Sequence, residues 1–154
     1  MVNPIPDEYP RITAYLCAGG AADAIDFYTA VFGFTERHRM TFDGRIGHCE
    51  LELGGSMIML SDEYPEMGVI GPKTLGGTPT SMNVYVEDAD ATFAAALAAG
   101  ATELRPVQDQ FYGDRSGQFE DPWGHRWGVA THIEDVDDDE MARRAAAMMS
   151  GDDH

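Results

Sequence analysis

The second half of this sequence repeats the first. At an offset of 67 residues, Asp23 falls on Asp90, Ala24 on Ala91, Gly33 on Gly100 and Glu36 on Glu103. These coincidences sit at helix and strand boundaries, where local structure has least freedom. A chain built from two copies of one supersecondary unit must bury each copy's apolar face in the same way, which removes most alternative folds.

Periodicity defines the unit. Residues 11–17 alternate, with Ile12, Ala14 and Leu16 on one face and Thr13, Tyr15 and Cys17 on the other, as a strand requires. After Gly19-Gly20, the apolar residues Ala24, Ile25, Phe27, Tyr28, Val31 and Phe32 recur at helical spacing, and Gly33 suits a helix end. Strands are predicted over 34–41, 46–53 and 56–61, separated by Asp43-Gly44 and Gly54-Gly55 turns. The first half is βαβββ. The pattern returns after a Pro- and Gly-rich linker at 63–79: a strand over 81–86, a helix over 89–99 closed by Gly100, then strands over 103–110, 117–120 and 125–131. Three consecutive hairpin-linked strands per half demand mostly antiparallel pairing. The expected fold class is α+β, with two βαβββ repeats forming curved, mostly antiparallel sheets around a concave pocket. Residues 137–149 add a short C-terminal helix whose acidic start complements its positive end.

With 154 residues and 44% apolar content, the chain supports one well-packed domain. Its halves are about 11–62 and 80–132, with an acidic tail at 133–154. The start lacks a signal peptide's pattern and no apolar run is long enough to span a bilayer, so a soluble cytoplasmic protein without membrane partners is expected. Cys17 and Cys49 lie in apolar strand settings and read as small hydrophobes. The formal net charge of −17, with one lysine and nine dispersed arginines, argues against nucleic-acid binding, which needs clustered cations to neutralise phosphates. Eight of the 27 acids lie between Glu134 and Asp153, so much of that charge belongs to a solvated tail.

Several motifs then fall into a known order. Ala24-Ile-Asp-Phe-Tyr28 running to Phe32-Gly33-Phe34, Val86-Glu-Asp88, and Asp121-Pro-Trp-Gly-His125 resemble the vicinal oxygen chelate superfamily, the glyoxalase, bleomycin-resistance and extradiol dioxygenase fold, over roughly residues 11–132. Leu60-Ser-Asp-Glu63, Phe111-Tyr-Gly-Asp-Arg-Ser-Gly117 and Asp121-Pro-Trp-Gly-His-Arg-Trp127 resemble its PhnB-like, glyoxalase-related branch. Metal-using members place ligands on the first and last strand of each half, and the matching positions here are Thr13, Met59, Ser81 and Gly128. None is a competent donor: a thioether is soft and weak, hydroxyls are poor at neutral pH, and glycine offers nothing. The resemblance therefore implies the fold and a pocket, without metal or other cofactor.

Residues sharing parity with those positions are expected on the pocket face: Thr13, Tyr15, Cys17, Met57, Met59, Ser81, Asn83, Tyr85, Arg126, Gly128 and Ala130, with His48, Glu50 and Glu52 on the third strand. The opposite parity, Ile12, Leu16, Ile58, Leu60, Trp127 and Val129 among them, is expected beneath the helices. His48 and Glu50, two apart, suit a proton-transfer pair, a hydrogen-bonded ligand clamp, half of a relocated metal site, or an ordinary wetted strand face. Phe111, Tyr112 and Arg115 are placed at the cavity mouth, where rings beside a guanidinium suit a flat or anionic ligand; the alternative is an Asp114/Arg115 ion pair fixing the turn. His125 reads as a turn stabiliser, and His38 and His132 as surface residues.

The candidate ligand-binding set is thus Tyr15, His48, Glu50, Met57, Met59, Asn83, Tyr85, Phe111, Tyr112 and Arg115. The resemblance implies a metal-independent small-molecule binding protein, with sequestration of an antibiotic or other natural product as the resistance-type form. The alternative is a glyoxalase-like enzyme, a lyase, isomerase or oxygenase, using His48/Glu50 acid-base chemistry or a displaced metal. A homodimer is expected, since pairing covers sheet edges.

Overall fold

The computed structural model describes residues 1–151. Thirteen elements follow the predicted order: β1 Ala14–Cys17, α1 Ala21–Phe32, β2 Thr35–Phe42, β3 Arg45–Leu53, β4 Ser56–Ser61, a 3₁₀ turn at Pro65–Met67, α2 Pro72–Leu75, β5 Ser81–Tyr85, α3 Ala89–Ala98, β6 Thr102–Asp109, β7 Asp114–Glu120, β8 Arg126–His132 and α4 Asp138–Ser150. The strands form two four-stranded sheets with the same plan, β1-β4-β3-β2 and β5-β8-β7-β6. In each, the first strand pairs with the last in parallel and the other pairs are antiparallel. No helix among the described residues is long and apolar enough to cross a membrane.

The chain divides into two compact units, residues 1–80 with 121–125, and residues 81–120 with the described residues from 126 on. In the first, α1 buries Ala21, Ala24, Ile25, Phe27, Tyr28, Val31 and Phe32. Its sheet contributes Leu16, Cys49, Leu51, Ile58 and Leu60 to the buried set, as strand parity requires. The helix start is capped from a distance: the Asp62 carboxylate accepts from the N–H groups of Gly20 and Ala21 at 3.0 and 2.9 Å, and from Ile46 N–H at 2.7 Å. A carboxylate there satisfies orphan donors and complements the helix dipole, which accounts for the Leu60-Ser-Asp-Glu63 motif. In the second unit, Ala89, Phe93 and Ala96 of α3 are buried with Phe119, Trp127 and Val129, and the Phe93 and Phe119 rings meet edge to face at 6.2 Å. Asp88 caps α3 by accepting from Ala91 N–H at 3.1 Å.

Three expectations need correction. The first strand starts at Ala14 instead of residue 11, and Ile12 is 91% exposed instead of packing beneath a helix. Pro10 and the short parallel pairing with β4 leave Ile12 without a ladder partner. The seventh strand begins at Asp114, three residues before the expected start, so Asp114, Arg115 and Ser116 belong to the ladder with β8 and only the residues before them turn. Gly113 makes that turn possible: its φ is 101°, and a Cβ would stand 2.1 Å from the Glu134 carbonyl oxygen. Finally, the linker at 63–79 holds the 3₁₀ turn and the one-turn helix α2. Proline at the start of each explains why no apolar periodicity announced them.

Candidate functional site

Equivalent strands of the two units present equivalent rows of side chains. In the first unit, register aligns Tyr15, Met59, Glu50 and His38 across β1, β4, β3 and β2. In the second, Asn83, Gly128, Gln118 and Arg105 align across β5, β8, β7 and β6. Directly opposed residues share a sheet face, so each row is one continuous strip.

Tyr15 and Glu50 of the first row are tied together through His48, on the same face of β3. His48 Nε2 lies 2.9 Å from Glu50 Oε2 and Nδ1 lies 2.8 Å from the Tyr15 hydroxyl. An ionised carboxylate only accepts, so Nε2 carries the proton toward Glu50. The Tyr9 hydroxyl donates to the same carboxylate, 3.0 and 3.1 Å from its two oxygens. Glu50 is 5% exposed, and burial alone pushes its carboxyl up; the hydrogen bonds from His48 and Tyr9 outweigh that and hold it below its ordinary 4.5. Stability from this carboxylate is therefore present above the ordinary value and lost as pH falls through the lowered one. Tyr9 was missing from the expected site because it precedes the first strand, where no periodicity points to a partner. Met59 is half-buried within this row, while Met57 is buried beside Tyr9 and Pro10 in a small pocket of about 350 Å³.

The second unit holds a cleft of about 520 Å³. Six of the residues expected at the pocket line it: Asn83, Tyr85, Gly128 and Ala130 on the strands, and Phe111 and Tyr112 at the mouth. Asp114, expected in the mouth hairpin as the alternative partner of Arg115, lines it too, as do Arg105, Gln110 and Gln118, which sequence reasoning missed. Arg105 and Gln118 lie on strands whose parity had no anchoring motif, and the early start of β7 brings in Asp114. Arg115 turns elsewhere: its guanidinium donates to both Asp90 oxygens at 2.7 and 2.9 Å and to Asp109 at 2.9 Å. The alternative reading, an Asp114/Arg115 pair, is not formed either. Asp114 accepts from the Tyr85 hydroxyl at 2.6 Å and meets His132 Nδ1 at 2.8 Å.

His132, expected at the surface without a role, bridges two carboxylates, with Nε2 2.7 Å from Asp135. Both ring nitrogens face acceptors, so the protonated imidazolium fits this position and the neutral ring does not. The hydrogen bonds from Asp135 and Asp114 raise its pKa above the ordinary 6.5. Its contribution is fully present below that value and disappears as pH rises through the raised one. His132→Gln should flatten this part of the stability profile; urea midpoints between pH 6 and 9 that fall equally in both proteins would contradict it. His125, as expected, serves the turn after β7: Nε2 lies 2.9 Å from the Cys17 carbonyl oxygen, and its own N–H donates to Asp121 at 3.0 Å.

The donor set does not fit the superfamily's metal. Thr13, Met59, Ser81 and Gly128 carry two hydroxyls, a thioether and no side chain. Among the described residues, no three His, Cys, Asp or Glu side chains converge as metal donors. Burial raises the Cys17 and Cys49 thiols to about 11, which disfavours the free thiolate at both.

Comparison with known proteins agrees with this architecture. An uncharacterized protein of Mycobacterium bovis is 39% identical over 147 residues, spanning 93% of this chain and 95% of its own. TioX from Micromonospora sp. ML1 superposes with a TM-score of 0.60 at 29% identity, over 80% of this chain and 99% of its own. The PhnB protein from Bacillus cereus gives 0.63 at 21% identity, over 79% and 99%, a likeness of fold alone. The family model described as Glyoxalase/Bleomycin resistance protein/Dioxygenase superfamily matches residues 11–129, and the chain belongs to that superfamily.

Proposed function

We propose that this protein is a metal-independent small-molecule binding protein, that its ligand occupies the cleft of the second unit, and that it acts by sequestering an antibiotic-like or other natural product. The contrast between the two rows carries the reading. Tyr15, His48, Glu50 and Tyr9 use their hydrogen-bonding capacity on one another. Asn83, Gln118 and Arg105 make no side-chain hydrogen bond among the described residues, and they lie on a concave surface rimmed by Tyr85, Phe111 and Tyr112. Concave sites with a few convergent polar groups and aromatic walls are the usual form of small-molecule pockets.

Native mass spectrometry of the protein from its own host tests this: a retained molecule of a few hundred daltons is expected, and its affinity should fall in Tyr112→Ala. A retained molecule insensitive to cleft substitutions would remove the assignment. Elemental analysis should find no stoichiometric divalent metal; about one Zn, Ni, Mn or Fe per chain would move attention to His48 and Glu50.

The alternative is an enzyme using His48 and Glu50 in acid-base roles. Its imidazole would have to release Tyr15 or Glu50 before meeting a substrate, because both ring nitrogens are engaged. His48→Ala separates the readings: second-unit ligand affinity stays unchanged if the protein binds, and turnover vanishes if it catalyses. A homodimer is also proposed, because edge strands β2 and β6 are exposed along nearly their whole length and unpaired edges are a liability. Light scattering returning the mass of one chain at micromolar concentration would contradict it.

A further inference from the structure

Two charged residues line the second-unit cleft, Arg105 and Asp114. Asp114 is spent. It is buried, one oxygen accepts from Tyr85, and the other faces the His132 ring. Arg105 is exposed and has no side-chain partner among the described residues. Of the other eight arginines in this chain of net charge −17, Arg37, Arg39, Arg45, Arg115, Arg143 and Arg144 each hold a carboxylate, and Arg11 and Arg126, which hold none among the described residues, do not line the cleft. The cleft floor therefore presents one unneutralised positive group within a strongly acidic protein.

The floor has a shape to match. Register sets Arg105 beside Gln118, Gln118 beside Gly128 and Gly128 beside Asn83. A Cβ at Gly128 would stand 2.4 Å from Asn83 Oδ1, so glycine is what lets the Asn83 amide lie flat across the strip. At about 4.8 Å per strand, Arg105 and Asn83 stand about 14 Å apart across the sheet, the length of a two- or three-ring system with one substituent. Tyr85, Phe111 and Tyr112 supply ring faces at the same cleft, with Phe111 and Tyr112 edge to face at 5.3 Å.

From this geometry we infer that the cleft selects a planar aromatic anion, its acidic group held by Arg105 and its rings laid along the Gln118–Gly128–Asn83 strip against the aromatic rim. The inference rests on the reading of this cleft as the ligand site and adds the ligand's class. A guanidinium offers parallel donors to a carboxylate or sulfonate. A cationic ligand would find its one candidate carboxylate already occupied.

A matched dye pair tests it: anilinonaphthalene sulfonate and phenylnaphthylamine share their rings and differ by the anionic group. Fluorescence titration of the full chain should show the sulfonate binding about tenfold tighter or more, despite the protein's net negative charge. Arg105→Gln should bring the two affinities within about twofold by weakening the sulfonate alone, and Arg105→Lys should restore part of the preference. A preference that survives Arg105→Gln overturns the Arg105 assignment while leaving the cleft as a binding site. The cleft itself is tested by Ala130→Phe, which fills it, and by Tyr112→Ala at an exposed rim position. Both should weaken both dyes at least about fivefold. Dyes that bind these two variants as tightly as the parent overturn the cleft reading and the inference together, as does a parent protein that binds neither dye.

Discussion

Phe27→Ala should lower the unfolding free energy by about 3–5 kcal/mol, among the largest losses any single substitution in this chain would cause. The ring is 5% exposed on the buried face of α1, and it meets the Tyr28 and Trp123 rings edge to face, each at 5.7 Å. Truncation removes the ring's transfer free energy and leaves a cavity that neighbouring aromatics, fixed by their own contacts, fill only partly. Urea unfolding checks it. Arg105→Gln, at an exposed position without a partner, should stay within about 0.5 kcal/mol of the parent. A Phe27→Ala loss below about 1.5 kcal/mol would mean that this ring is not an anchor of the first unit.

The same residue shows why so much of the scaffold was legible in the sequence. Ala24, Ile25, Phe27, Tyr28, Val31 and Phe32 mark a helix by period and Gly33 ends it at φ 83°, so α1 lies where periodicity places it, at Ala21–Phe32. Strand β4 likewise runs over Ser56–Ser61, started by the Gly54-Gly55 turn. Boundaries slipped where pairing, not local sequence, decides them: the parallel pairing with β4 begins only at Ala14 opposite Ile58, although β4 itself starts at Ser56, and Ile12 is left outside.

The candidate site was less legible, for a related reason. Parity can say which face a residue occupies, and it brought Tyr15, His48 and Glu50 together correctly as neighbours. It cannot say which side chains are already satisfied. Arg115 sits beside an acid in sequence, yet its partners are Asp90 and Asp109, placed by α3 and β6. Arg105 carries no motif, and its interest comes from lacking a partner. That property exists only once every neighbour is in place. His132 does lie at the surface, as its sequence setting suggests, but its two carboxylates arrive from β7 and from the segment after β8, which no local pattern announces.

Asp121→Ala is the second substitution with a large expected effect, at least about 3 kcal/mol. The carboxylate is 1% exposed and accepts from the Tyr28 hydroxyl, from Trp123 N–H at 2.9 Å and from His125 N–H at 3.0 Å. Removing it orphans three donors, and each buried unsatisfied group costs about 1–3 kcal/mol; water entering the vacated space offsets part, so the low end of the sum applies. This explains why Asp121-Pro-Trp-Gly-His125 reads as a motif: one acid organises the turn and ties it to α1. A double-mutant cycle with Tyr28→Phe isolates the hydroxyl. The phenylalanine should cost less in the Asp121→Ala background than in the parent, because the group it deletes has already lost its acceptor. Equal costs in the two backgrounds would show that Tyr28 and Asp121 are not coupled. Since Trp123 packs on Phe27 and its N–H is held by Asp121, Asp121→Ala and Phe27→Ala should also destabilise by less together than the sum of their separate effects.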